Sequence, residues 1–486
     1  MQLDNQKAPS CGIIESVKNL KYYRKVPDSM INQNDEKNNT SDQTEYNFID
    51  TLQELGIAGL LRKSNIFKEK GHSVFSVFQT LLLMVFRGCS LYEFLRSKKG
   101  ESAYDDNTYY RFLDNVRFNW QRFLLLLSAK VISYMDTLTK PDRVRAFVLD
   151  DSVVPYQRSK KRELLSWVHD HVIHKSVRGF AMLTLGWTDG YSFIPTGFSM
   201  MASPKEEKRI NEPKDGIDKR SHGWKSRMEA VMQKPQAAMM LIRNALKYGI
   251  PADYVLMDTW FTNEPLIHDI LAEGLDVIGM LKKGNQQYWY KNHLYTSKGL
   301  ALPAFHRNTG SILGSVIVQT KYHKIPVKIV YVRNRNNYNE YITILSTDCS
   351  LSDHEIVRIY GYRWNIELFF RTTKSLLNLG KDSQSLSYDS LVGSTTIVCT
   401  RFIILELLRR RTNDEKTICE LFFVCCEDIR DIEYHEALHS LLSILLNGLK
   451  QGSIKITKDV KSQLLNWYVS QPAFIQEICP DLTWEV

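Results

Sequence analysis

Tyr360-Gly-Tyr-Arg-Trp-Asn-Ile-Glu-Leu-Phe-Phe-Arg-Thr-Thr-Lys374 carries the pattern around which the rest of the chain can be ordered. Tyr360, Arg363, Glu367, Arg371, Lys374 and, four residues on, Asn378 stand at offsets 0, 3, 7, 11, 14 and 18. At about 100° per residue these positions fall within about 80° of one another on a helix. Tyr362, Ile366, Phe369 and Leu376 cover the other side. The spacing predicts a long helix from about Leu351 that buries an apolar face and presents one carboxylate, Glu367, among basic and aromatic groups. An exposed ion-pair ladder, Arg363–Glu367–Arg371 at i, i+4, would explain the charges. It would not explain Tyr360 and Asn378 on the same face. Trp364 falls about 40° to the side of the stripe, away from the apolar face at Phe369.

Two further acids lie upstream at the ends of apolar, strand-like runs. Arg145-Ala-Phe-Val-Leu-Asp-Asp151 reads as a strand over Val144–Asp150, and Tyr254-Val-Leu-Met-Asp258 as another. Carboxylates at the ends of paired, buried strands are held rigidly with their oxygens toward a cleft. Phosphodiester chemistry asks for such a set: two metals ~4 Å apart, one activating the nucleophile and the other stabilising the leaving oxygen. Hard oxygen donors select magnesium or manganese rather than zinc. Successive strand residues face opposite sides, so only one of Asp150 and Asp151 can serve. Caps and turns account for most aspartates at strand ends.

The order Tyr360-x2-Arg363-x3-Glu367-x6-Lys374 resembles the Tyr-Arg-Glu-Lys signature of bacterial insertion-sequence transposases of the DDE class. Asp150-Asp-Ser152, Gly179-Phe with Leu185-Gly-Trp-Thr-Asp-Gly190, Ile217-Asp-Lys-Arg-Ser-His-Gly223, Tyr254-Val-Leu-Met-Asp-Thr-Trp-Phe261 and Tyr362-Arg-Trp-Asn-Ile-Glu-x-Phe-Phe370 are similar to segments of that family in the same order. The resemblance covers about residues 70 to 440. It implies a ribonuclease-H-like α/β catalytic domain with Asp151, Asp258 and Glu367 as metal-binding acids, Asp151 being the aspartate directly before the serine. It also implies two Mg2+ (or Mn2+) ions, and Tyr360, Arg363, Trp364, Arg371 and Lys374 on DNA. The 109 positions from Asp258 to Glu367 match the β-rich insertion such enzymes carry. The implied activity is cleavage at the terminal inverted repeats of a mobile element and strand transfer into target double-stranded DNA by a paired-end homodimer, without a covalent enzyme–DNA intermediate. A structure-selective nuclease of the same fold, or a domesticated non-catalytic DNA-binding protein, are the alternatives.

Around this centre the chain of 486 residues divides further. Residues 1–45 are a polar lead-in, with Asn32 to Gln43 too polar to bury a core. Residues 46–140 show helical spacing, as in Ser76-Val-Phe-Gln-Thr-Leu-Leu-Leu-Met-Val-Phe86 and Trp120-Gln-Arg-Phe-Leu-Leu-Leu-Leu127, with basic residues from Arg62 to Arg122 spread through them. That region is either a DNA-binding domain or a helical one with a solvated surface. Residues 141–285 hold the first part of the catalytic domain, 286–347 the β-rich insertion, 348–411 the remainder with the third acid, and 412–486 a helical C-terminal region. Three early strands followed by helix, strand, helix, strand is the expected order, with a hairpin at Thr188-Asp-Gly-Tyr191.

Composition restricts the function without fixing it. A formal charge of +9 permits nucleic-acid binding and does not establish it. Eight scattered cysteines give neither a zinc-site spacing nor a disulfide framework. No apolar run reaches the ~18 residues of a membrane span, so a soluble, cytoplasmic protein is expected. His169, His171 and His174 suggest local structure more than a metal. Lys205 to Arg227 is a basic linker that either grips DNA or is solvated, and Arg409-Arg-Arg411 is a helix-end charge cluster.

Overall fold

The computed structural model describes residues 48–96, 104–140, 142–170, 173–282, 284–305, 310–334, 340–381, 385–412, 416–430 and 466. The polar lead-in, His171 and most of the 412–486 region lie outside the described residues, although 418–430 are helical. The chain forms two compact units. In the smaller, which includes 86–104 and 422–486, α4 (Leu91–Arg96) is the named helix, and the Phe86 and Phe422 rings meet at 5.4 Å. The larger, 48–85 with 105–421, holds the sheet and every acid discussed above.

That sheet has eleven strands. β1 (Ala146–Pro155) lies between β3 (Lys175–Thr188), its antiparallel neighbour, and β5 (Tyr254–Met257), its parallel one. β4 (Phe193–Met201) and β2 (Ser166–Asp170) share the far edge of β3, and β6 (Asp276–Met280) runs parallel to β5. Without β2, the order β4-β3-β1-β5-β6 is the ribonuclease-H-like layer expected from the sequence. The hairpin forms at its Asp-Gly turn, where Asp189 Oδ1 accepts the N–H groups of Tyr191 and Ser192 at 3.0 and 2.7 Å. α7 (His222–Ala230) and α8 (Lys234–Lys247) connect β4 to β5, and α9 (Glu264–Ala272) connects β5 to β6.

The β-rich insertion extends this sheet. β7 (Gln287–Tyr290), β8 (His293–Thr296), β9 (Ile312–Thr320), β10 (Pro326–Arg333) and β11 (Tyr341–Ser346) add to its edge, with β11 antiparallel to β6; α10 (Ala301–Ala304) lies between β8 and β9. Buried Glu264, at the start of α9, accepts the N–H groups of Tyr322 and His323 and holds the β9–β10 turn.

The early helices are α1 (Phe48–Glu54), α2 (Ile57–Lys63), α3 (Val74–Leu83), α5 (Asp106–Leu113) and α6 (Trp120–Thr137). They pack on one another and on the last named helix, α13 (Tyr388–Arg411), and α6, lying along β4, carries them to the sheet. Among the described residues α13 is the helix long and apolar enough to cross a bilayer, and its apolar window is wholly buried inside the protein, as in a core helix. Two buried arginines fasten distant segments. Arg401 donates to the carbonyls of Leu81, Leu82 and Leu377 at 2.6 to 3.0 Å, satisfying the last turn of α3. Arg227 binds Glu163 and Asp389, joining the loop before β2, α7 and α13.

Glu229, also on α7, is buried and accepts a hydrogen bond from Gln121 on α6. Burial pushes its carboxyl from 4.5 up to about 7, against that hydrogen bond. The folded state therefore keeps a proton that the unfolded chain releases above pH ~4.5, so stability is fully present below that pH and falls until pH ~7. Glu229→Gln should remove this slope, worth at most about 3 kcal/mol across the window. Urea midpoints at pH 4.5 and 7.5 measure it, and an unchanged slope in the variant would assign the pH dependence elsewhere.

Candidate active site

β1 outlasts its neighbour. Ala146 to Leu149 pair with Tyr254 to Met257 of β5 and are buried, whereas β3 follows β1 as far as Pro155. The strand thus runs five residues beyond the expected end at Asp150, and both aspartates of the doublet lie mid-strand where its β5 side has opened. Since Leu149 is opposite Met257, Asp150 and Asp258 are the next residues on the two adjacent chains, and the register carries them to the same face. Asp258 Oδ1 accepts the N–H groups of Trp260 and Phe261 at 3.0 and 3.2 Å, which fixes its carboxylate at the turn.

The expected single helix is two: α11 (Asp353–Gly361), with a capping box formed by Ser352 and Glu355, and α12 (Trp364–Ser375). Between them the N–H groups of Tyr362, Arg363, Asn365 and Ile366 each bond three residues back, a tight 3₁₀-like junction. α12 ends at Ser375, so Asn378, with φ 61°, stands beyond it and leaves the predicted stripe. Ile366 and Phe369 are buried as expected.

From this junction Arg363 reaches two acids. One guanidinium nitrogen lies 2.9 Å from Asp150 Oδ2 and the other is paired with Glu367 Oε1. Lys374 Nζ donates to Ser152 Oγ at 2.7 Å, and Asn365 donates to Thr188 Oγ1 at 3.0 Å. Tyr362 lies over the hairpin turn, where a Cβ on Gly190 would come within 2.6 Å of its ring; Gly190 also has φ +92°. Tyr360, at the end of α11, is raised to about 12 by burial, with Arg363 opposing and Asp258 adding to the rise. Trp364 is 51% exposed, outside the core, and Arg371 is exposed.

The doublet divides. Asp150 faces Arg363; Asp151 instead pairs with Lys234 Nζ at 2.9 Å, from the first position of α8. Burial pushes the Asp150 carboxyl up to about 7, Arg363 opposes this, and the charges of Asp258 and Asp151 add to it. Asp258 is raised too, by burial first, with its backbone donors and Arg363 opposing and Asp151 adding. Lys234 was missed in the sequence reading. Its signal was a cation at the first position of a helix, where the dipole favours an anion.

Among the described residues no group of three or more His, Cys, Asp or Glu side chains lies together as a metal cluster. Asp150 and Glu367 meet through Arg363. The donors themselves are hard oxygens, and burial holds the Asp150 and Asp258 carboxyls above their ordinary range, with neighbouring carboxylate charge adding to each rise. A divalent cation fits that donor set. In the basic linker, Arg209 is paired with Glu206 and Glu212, Arg220 with Asp218, and Arg227 is buried, while Lys205, Lys208, Lys219 and Lys225 are exposed.

Residues 77–299 match a family model described as DDE superfamily endonuclease, and residues 233–405 one described as Transposase DDE domain. No curated protein matches the chain significantly.

Removing Arg363 would leave two part-buried carboxylates facing each other. Arg363→Met should cost about 2–4 kcal/mol. Arg363→Lys should recover only part of this, because one ammonium cannot reproduce the fork. Urea denaturation of the three proteins is the check; equal stability would show that the bridge contributes nothing net.

Proposed function

We propose, on the premise that residues 77–405 carry a DDE-transposase superfamily domain, that the protein is a transposase cutting the ends of a mobile element and joining them to target DNA. The observation that carries this reading is the delivery by α12 of Arg363, Glu367 and Lys374 to the point where β5 ends beside Asp150 and Asp258. The resemblance selects Asp151 as the first acid. The register with Asp258 and the Arg363 bridge favour Asp150, and we assign the role to Asp150 with Asp258 and Glu367.

These three residues would hold the Mg2+ or Mn2+ ions, which supply an activated attacking oxygen and a stabilised leaving oxygen. The chain's own groups do the rest. Arg363 and Lys374 meet the negative charge that grows on the phosphoryl oxygens, and the Asp258 turn holds its carboxylate against rotation. Tyr360 and Arg371 contact the end of the element. The exposed Arg62, Lys63, Lys68, Lys70, Arg111, Arg117 and Arg122 of the early helices and the loops between them offer a surface for the terminal repeat. A homodimer pairing two ends, working in the cytoplasm, completes the proposal.

Asp150→Asn, Asp258→Asn and Glu367→Gln should each abolish Mg2+-dependent strand cleavage on DNA carrying the element's ends, while end binding is retained. Asp151→Asn should still cut. If Asp151→Asn is dead and Asp150→Asn is active, the doublet is assigned the wrong way round. Cuts without a joined product would instead describe a nuclease.

Trp364, exposed beside Arg363, is placed to stack on an unpaired base at the cleaved end, an interaction worth about 1–3 kcal/mol. Trp364→Ala should leave first-strand nicking near normal, lower the yield of hairpin or double-strand break, and be rescued by an abasic site at the flipped position. Nicking and breakage falling together, with loss of folded protein, would make the residue structural.

A further inference from the structure

The Lys234–Asp151 pair lies on the α8 side of β1, opposite the residues used so far. Lys234 opens α8, and Gln233 before it makes no side-chain capping bond. An ammonium there opposes the helix dipole, so something other than local helix preference holds it. Two contacts do. Asp151 Oδ2 is 2.9 Å away, and the Trp260 ring lies 4.9 Å beneath the ammonium. Trp260 is the residue whose N–H binds Asp258. Lys234 therefore stands between the strand bearing the first acid and the turn bearing the second, with about a quarter of its side chain exposed.

We infer that Lys234 is a DNA-phosphate contact of this cleft and that Asp151 is its positioning residue. The inference rests on the proposed transposase reading. An ammonium carries three donors, and one is directed at Asp151, so the others can meet a phosphodiester. Asp151 and Asp150 face opposite sides of the strand, so the pair sits on the other side of β1 from Arg363 and Lys374. A phosphate lying along the margin of β1 left open where β5 ends would then meet cations from both sides, as charge-accumulating phosphoryl transfer requires. The half-exposed Trp260 ring holds the ammonium from one side and Asp151 holds it from another, and the remainder is open to solvent.

The test uses the full chain, with Mn2+ alone as one probe and a random duplex of about 40 base pairs in Ca2+ as the other. Lys234→Met should leave Mn2+ affinity unchanged, read by electron paramagnetic resonance of the free ion. It should make the dependence of log K on log salt shallower by about 0.9, one phosphate contact. Lys234→Arg should restore the slope. Asp151→Asn should shift the slope in the same direction as Lys234→Met, and the double variant should shift it no further. An unchanged slope in both Lys234→Met and Lys234→Gln, each melting as wild type does, would reduce the pair to a structural tie and overturn the inference. Loss of Mn2+ binding in Asp151→Asn would overturn it differently, by making Asp151 a metal ligand. Failure of the transposase reading has its own mark, Asp258→Asn binding Mn2+ as wild type does.

Discussion

The Arg363 guanidinium, lying between Asp150 and Glu367, is the contact on which the arrangement of the acids depends. Strand pairing brings Asp150 beside Asp258; burial raises both carboxyls, and neighbouring carboxylate charge adds to each rise. A planar fork that bonds two carboxylates at once offsets that charge and fixes the angle at which α12 meets β1. The other contacts of α12 follow from the same placement: Lys374 on Ser152, Asn365 on Thr188, and Tyr362 over a turn that tolerates only glycine. The guanidinium is thus a structural counter-ion in the DNA-free protein and a phosphate ligand in the proposed reaction.

A second principle recurs away from the site. Arg227 and Arg401 are buried, yet each joins segments far apart in sequence, one through two carboxylates and the other through three carbonyls. Such groups are costly to bury unless every donor is used. Their partners come from the loop before β2, α3, α13 and the turn after α12, so the early helices and the late ones are bound to one another rather than merely adjacent. The expected boundary near residue 140 is accordingly not a break in packing: α6 lies on β4 and α13.

Much of this was legible. The strands of the insertion show branched and aromatic runs between turn residues, and β7, β9, β10 and β11 fall where those runs lie. The Asp-Gly hairpin declared itself by its turn residues. The continuation of β1 to Pro155 did not, because Asp150, Asp151 and Ser152 interrupt the apolar run at half-exposed positions and the strand beyond Leu149 is paired only with β3. The break between α11 and α12 was hidden because Tyr362 and Arg363 keep near-helical backbone angles while the hydrogen bonds shorten to three residues. Periodicity could not tell which aspartate of the doublet faces α12; that needed the partner strand's register. Lys234 belongs to the same class, since its meaning comes from a residue 83 positions away.

The hydrogen bonds between β11 and β6 give the fold room to vary without disturbing its chemistry. Everything from β7 to β11 leaves the sheet's edge and returns to it, so that lengthening or shortening this excursion alters the molecule's reach while Asp258 and Glu367 stay on elements anchored elsewhere. Growth also has a natural stop. The outermost strand, β8, has only four residues and follows a turn at Lys291 and Asn292, both with left-handed backbone, which makes a poor template for a further strand or for another molecule's edge. The sheet can therefore change its outline at one margin while the strand ends and helix that carry Asp150, Asp258 and Glu367 keep their own packing.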